Sequence, residues 1–212
     1  MRHALSLTVL LGAVALSLSI LPCTRASEAT AANATHAPPE VVHVCATCHG
    51  RNGNSINPDV PSLAGQIAPY MERQLAAFKH QGRVGVMGGV AMSLSDADMR
   101  TAARYFAQQI PFRDALSSID PRQHARGAAI YRDGIANKNV PACASCHALQ
   151  GTGLPPEFPR LAGQHAAYLA AQLRAFRSDD RISNANAMMR EVSVKLSDAD
   201  IDEVAHYIAD MR

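Results

Sequence analysis

Cys45-Ala46-Thr47-Cys48-His49 and Cys143-Ala144-Ser145-Cys146-His147 are two copies of one pattern, Cys-x-x-Cys-His, and they use four of the five cysteines in the 212-residue chain. Two thiols at this spacing reach the two vinyl groups of one porphyrin while the adjacent imidazole meets the iron from one face. The pattern therefore reads as two covalently attached c-type hemes. Paired cysteines also hold structural zinc or work as thiol-disulfide couples. Zinc wants four ligands where each motif groups three, and one zinc shared by both motifs would need the pairs in a single knuckle, whereas they stand 98 residues apart. A redox dithiol has no use for the same histidine twice. Cys45, Cys48, His49, Cys143, Cys146 and His147 are thus the candidate heme-binding residues, with His49 and His147 on the iron.

Working outward, residues 45–83 align with 143–181 without a gap, and 18 of those 39 positions are identical. Matches include Pro61 with Pro159, Leu63-Ala64-Gly65-Gln66 with Leu161-Ala162-Gly163-Gln164, Tyr70 with Tyr168, and Gln74 with Gln172. After a four-residue length difference, Leu94-Ser95-Asp96-Ala97-Asp98 recurs as Leu196-Ser197-Asp198-Ala199-Asp200. Two copies make a tandem duplication and not a solenoid. Apolar residues at helical spacing predict helices over 69–79 and 166–177. Ser95 and Ser197, each followed by acids, read as N-caps of helices running to about Gln108 and Asp210. A further helix is expected over 121–132, with only a short counterpart over 39–44. Glycines and prolines mark loops between the heme motifs and the Leu-Ala-Gly-Gln segments. No strand pattern emerges, so the fold class is all-α. The expected domains are 27–110 and 121–212, joined by a linker over 111–120.

Arg2 and His3 precede an apolar stretch over 4–21, and Pro22-Cys23-Thr24-Arg25-Ala26 follows it. That order is a secretory signal, expected to span 1–26 with cleavage after Ala26. A retained membrane anchor, or a lipid on Cys23, is the alternative, although Pro22 fits a lipoprotein cleavage site poorly. Export to the periplasm suits heme attachment, and cleavage removes Cys23. Beyond the signal no apolar run is long enough for a membrane span, which leaves at most peripheral contact. The net charge of +2 comes from 20 basic and 18 acidic residues, and losing Arg2 and Arg25 balances the mature chain. Without a basic block interleaved with aromatics, nucleic-acid binding has no support. With no tryptophan and few aromatics, each half has a thin core of its own, so heme-free protein is expected to fold poorly.

The other face of each iron needs a ligand, and a thioether there would raise the potential and fill the site. Met87 lies seven residues before Leu94 and Met189 seven before Leu196, so the repeat selects these two. Met92 and Met188 are the fallbacks, His80 is a rival in the first half, and a lone methionine usually only packs. Arg83 and Arg181 match across the repeat and read either as partners of heme propionates or as solvated surface charges. Tyr70, Tyr168, Tyr105 and Tyr207 read as packing residues. His36, His43, His80, His124, His165 and His206 lack counterparts and read mostly as surface residues.

In its heme motifs, Pro-x-Leu-Ala-Gly-Gln segments, methionine loops and Leu-Ser-Asp helix starts, nearly all of the mature chain resembles the cytochrome c4 family of periplasmic diheme cytochromes. The resemblance implies two class I cytochrome c domains, each wrapping one covalently bound heme, packed with their heme edges near one another. It places the distal methionines at Met87 and Met189, and it implies that backbone carbonyls of Pro61 and Pro159 orient the proximal histidines. The first domain departs from the pattern in its shorter, glycine-rich loop over 85–89. The expected role is a two-heme electron carrier, not an enzyme, between a quinol-oxidising complex or similar donor and a terminal oxidase or reductase. Rival readings are the cytochrome subunit of a flavoprotein dehydrogenase, and a peroxidase or thiosulfate-oxidising cytochrome with one open iron.

Overall fold

Ser95 and Ser197 each close a reciprocal capping box. The serine hydroxyl accepts the amide of Asp98 or Asp200, and that aspartate accepts the serine's own amide. These boxes start α4 (Asp96–Ala107) and α9 (Asp198–Asp210) of a computed structural model that describes residues 38–80, 82–112, 120–181 and 187–211. In chain order the other helices are α1 (Glu40–His49), α2 (Ala68–Lys79), α3 (Met87–Met92), α5 (Pro121–Asp133), α6 (Ala144–His147), α7 (Ala166–Arg177) and α8 (Met188–Ser193). Only isolated bridges occur among the described residues, and the all-α class holds. The expected signal over 1–26, with Cys23, and most of the expected linker lie outside the described residues, as does His36.

The repeat is visible as α2, α3 and α4 recurring in α7, α8 and α9. The two heme motifs are framed differently from the expected pattern. Where a short helix was expected over 39–44, α1 runs ten residues straight through the first motif. In the second half, Gly134 at a φ of 75° ends α5, and a 3-10 turn (Ala136–Lys138) intervenes before the second motif forms its own helix, α6. A side chain at Gly134 would meet the Val140 carbonyl oxygen at 2.3 Å, so only glycine lets the chain turn there. The methionine segments, expected as loops, are six-residue helices.

In the first half, Val42, Met71, Ala103 and Phe106 form the core between α1, α2 and α4. The second half is better filled. Ile130, Tyr131, Leu169, Leu196, Ile201, Val204 and Ile208 join one buried cluster, with α9 lying between α5 and α7. Gly127 is the point of closest approach of α5 to α9, since a Cβ there would stand 2.2 Å from the Glu203 carbonyl oxygen. Backbone cannot rotate aside as a side chain would. For Gly127→Ala, crowding of about 3 kcal/mol should outweigh the ~1 kcal/mol of helix propensity regained. The expected outcome is a net loss of about 2 kcal/mol in urea unfolding of the heme-loaded protein; a stabilised variant would show that the two helices simply separate.

Candidate functional site

Each heme motif sits at the end of a helix, where its histidine is the last helical residue. Gly50 ends α1 at a φ of 78°, and Ala148 takes the same turn after α6 at a φ of 65°, a conformation costly for a residue with a Cβ. The Tyr131 hydroxyl fastens that second turn by donating to the Ala148 carbonyl at 2.6 Å. These turns send the chain back past its own histidine. His49 Nδ1–H then donates to the Pro61 carbonyl at 2.8 Å, and His147 Nδ1–H donates to the Pro159 carbonyl at 3.0 Å. Both histidines are buried, and burial pushes their pKa below the ordinary value against the opposing pull of the proline carbonyls. Each is therefore a neutral imidazole whose proton is held on Nδ1. Its Nε2 lone pair has no hydrogen-bond partner among the described residues.

No disulfide closes either pair of cysteines. Burial raises the thiol pKa of Cys45, and pushes that of Cys143 up to about 11. Redox-active cysteines need the opposite, a lowered pKa. No three His, Cys, Asp or Glu side chains gather into a metal cage among the described residues.

Met87 opens α3 and Met189 is the second residue of α8, and both are half-buried. The fallbacks face outward: Met92 is 62% exposed and Met188 37%. His80 is exposed at the end of α2.

Between the halves lies a network with near two-fold symmetry, in which residue i meets j and its repeat partner meets i's. Arg83 donates to Gln74 of its own half and, across the boundary, to the Tyr168 hydroxyl at 2.8 Å and Gln172 at 2.7 Å. Arg181 mirrors it on Gln172, on the Tyr70 hydroxyl at 2.8 Å and on Gln74 at 2.8 Å. Their guanidinium groups also cover Phe78 and Phe176 at 4.4 Å. Both arginines are buried, which corrects the reading of solvated surface charges, because cross-domain partners and aromatic faces take them out of water. None of these partners is a carboxylate. Burial opposes ionisation of Tyr70, yet Arg181 and Arg83 more than offset it and hold its pKa below the usual tyrosine value. Two buried cations with neutral partners are costly, and an anion nearby would relieve them.

Tyr70 and Tyr168 are interface residues, as their packing role implied. His43 and His206 are exposed, His124 is half-buried, and His165 donates from Nε2 to the Ser55 carbonyl of the other half at 3.0 Å. Sequence reasoning missed the function of Gln66 and Gln164. Both are buried, and each bonds the backbone of the opposite half. Their matched places in the repeat were the available signal.

The donor set fits one c-type heme in each half. Each offers two uncrosslinked thiols, a buried neutral imidazole with a free Nε2, and a half-buried methionine at an equivalent place, while the two cations between the halves suit propionates. The chain matches the cytochrome c family over residues 40–109 and 124–212. It is 39% identical over 168 residues to cytochrome c4 of Pseudomonas aeruginosa, covering 78% of this chain and 82% of that protein. It is 35% identical over 170 residues to the thiosulfate dehydrogenase electron acceptor of Stutzerimonas stutzeri, covering 79% of this chain and 78% of that one. Reduced recombinant cytochrome c4 from Pseudomonas stutzeri superposes with a TM-score of 0.74 at 37% identity, covering 81% of this chain and 95% of that structure.

Proposed function

The chain belongs to the cytochrome c4 family of diheme electron-carrier cytochromes, and from that premise we propose that it works in the periplasm between respiratory complexes. It takes electrons from a quinol-oxidising complex or similar donor and passes them to a terminal oxidase or reductase, acting as a carrier and not as an enzyme. Export relies on a cleaved signal over 1–26, and the mature chain folds as domains 27–110 and 121–212 joined by 111–120. No helix among the described residues is long and apolar enough to cross a membrane.

In this reading Cys45 and Cys48 bind one heme and Cys143 and Cys146 the other. His49 and His147 would ligate iron through Nε2, and Met87 and Met189 would supply the thioether sulfurs. When bound, each heme provides a one-electron iron couple. The protein's residues hold and tune it. The proline carbonyls fix each imidazole's tautomer and raise its basicity. Thioether ligation favours the ferrous state, raises the potential and fills the position a substrate would need. Arg83 and Arg181 offset propionate charge between the halves.

Two oriented, neutral imidazoles, each matched by a half-buried methionine, carry this reading. Optical and near-infrared spectra of the ferric protein test it. Both hemes are expected to be low spin with a methionine-to-iron charge-transfer band; a high-spin heme that readily binds cyanide or peroxide would overturn the carrier role. The relative described as a thiosulfate dehydrogenase electron acceptor favours a second reading, in which the donor is a thiosulfate dehydrogenase. Faster reduction by such an enzyme than by a quinol-oxidising complex would select it.

A further inference from the structure

Gln164 and Gln66 act on the proximal ligands, and they do so crosswise. The Pro61 carbonyl that accepts the His49 proton belongs to the same planar peptide unit as the Ser62 N–H. That N–H donates to Gln164 Oε1 at 2.9 Å, and Gln164 Nε2 donates to the Ser62 carbonyl at 2.9 Å. The second half repeats the arrangement with the roles exchanged. The Pro159 carbonyl accepts the His147 proton, the Arg160 N–H of that same peptide donates to Gln66 Oε1 at 2.9 Å, and Gln66 Nε2 donates to the Arg160 carbonyl at 2.9 Å.

Each glutamine thus holds, from the opposite half, the one peptide that orients a proximal histidine. A peptide whose N–H is hydrogen-bonded becomes a stronger acceptor at its C=O, because bonds in a chain polarise one another. A stronger acceptor on Nδ1–H makes the imidazole a more basic ligand, and a more basic ligand stabilises ferric iron. Both glutamines are buried, so each reaches its peptide from inside the boundary between the halves.

We propose that Gln164 is a positioning residue for the first heme and Gln66 for the second, so that each half sets the proximal ligand strength of the other through a single peptide group. This rests on His49 and His147 being iron ligands. That premise fails separately, as the absence of a histidine-ligated spectrum in the unsubstituted protein.

The test uses the two-heme protein, titrated potentiometrically and followed by proton NMR, with each heme's methyl resonances assigned through contacts to its own half. Gln164→Met keeps the side chain's length and removes both bonds to Ser62, together with the one its Oε1 accepts from the His165 N–H at 3.1 Å. It is expected to lower the ferric-to-ferrous ratio of the first heme about threefold at fixed poise, or about 28 mV at 59 mV per tenfold, with a clearly smaller change at the second. Gln66→Met should give the mirror image. In the ferrous protein the His49 Nδ1 proton should exchange faster in Gln164→Met, and the His147 proton faster in Gln66→Met. Gln164→Glu retains an acceptor for Ser62 N–H and adds charge to it, and should move the first heme the opposite way. Tyr168→Phe breaks a different bond across the same boundary and should change neither proton's exchange. Equal shifts at both hemes, a shift confined to the substituted half, or none in either variant would overturn the proposal.

Discussion

A protein with Cys45 and Cys48 both changed to serine is expected to keep one heme and to lose stable structure in its first half, while the reverse pair, Cys143 and Cys146, leaves a more protected second half. The asymmetry comes from the two cores. Among the described residues of the first half, the buried cluster consists of Val42, Met71 and Phe106 as its large side chains, with Ala103. The second half joins Ile130, Tyr131, Leu169, Ile201, Val204, Tyr207 and Ile208 in one cluster, and α5 packs closely on α9. A domain that small is marginal without a cofactor to bury, and the one with fewer large apolar residues depends on it more. The loss should also loosen the shared boundary, because Arg181 spends its cross-domain bonds on Tyr70 and Gln74 of the first half. Heme content per chain and hydrogen exchange resolved by segment check this together. Amides of α2 and α4 should lose at least tenfold in protection, about 1.4 kcal/mol of local stability, when the first heme is missing. Retained protection there, or equal losses in the two halves for the two variants, would sink the idea.

What the sequence disclosed was local chemistry. The Cys-x-x-Cys-His motifs are contiguous, Ser95 and Ser197 cap helices within three residues, and the gap-free repeat carried each assignment from one half to the other. The all-α class and the extents of α2, α7 and α9 followed from these. Contacts between distant segments stayed hidden. Nothing in the pattern distinguishes Gly127, which faces the Glu203 carbonyl, from any glycine that weakens a helix. Arg83 and Arg181 were legible as a matched pair, but whether they met solvent or a partner depended on Tyr168 and Tyr70 of the opposite half. Gln66 and Gln164 were equally visible as matched letters. Their partners lie 94 and 102 residues away, and a backbone contact leaves no trace in residue identity. The helix before the first heme motif was expected to be short, over 39–44, whereas α1 starts after Pro39 at the N-cap position and continues through the motif to His49.

Met189→His is expected to lower the potential of the second heme by on the order of 100 mV, a modest part of the ~0.8 V that axial ligands span. The sign follows from the ligands. A thioether is a soft, weak donor that favours ferrous iron, whereas a second imidazole donates more strongly and stabilises the ferric state. The second heme should remain low spin, since both axial positions stay filled, and the methionine-to-iron charge-transfer band should fall to about half as one of two such bonds is lost. The first heme, with Met87 untouched, should keep its potential to within a small fraction of that change. Met188 provides the internal comparison because it is adjacent in sequence yet 37% exposed, whereas Met189 is half-buried in the place that the repeat pairs with Met87. Met188→His should therefore leave the band and both potentials almost unchanged. If Met188→His removes the band and Met189→His does not, the ligand is one residue earlier and the register taken from Leu94 and Leu196 is wrong for this half. Met87→His repeats the experiment on the shorter first-half segment, where Gly88 and Gly89 follow the methionine within α3. A matching fall at the first heme alone would place the two distal sulfurs at equivalent positions, despite the four-residue difference that separates them from their heme motifs.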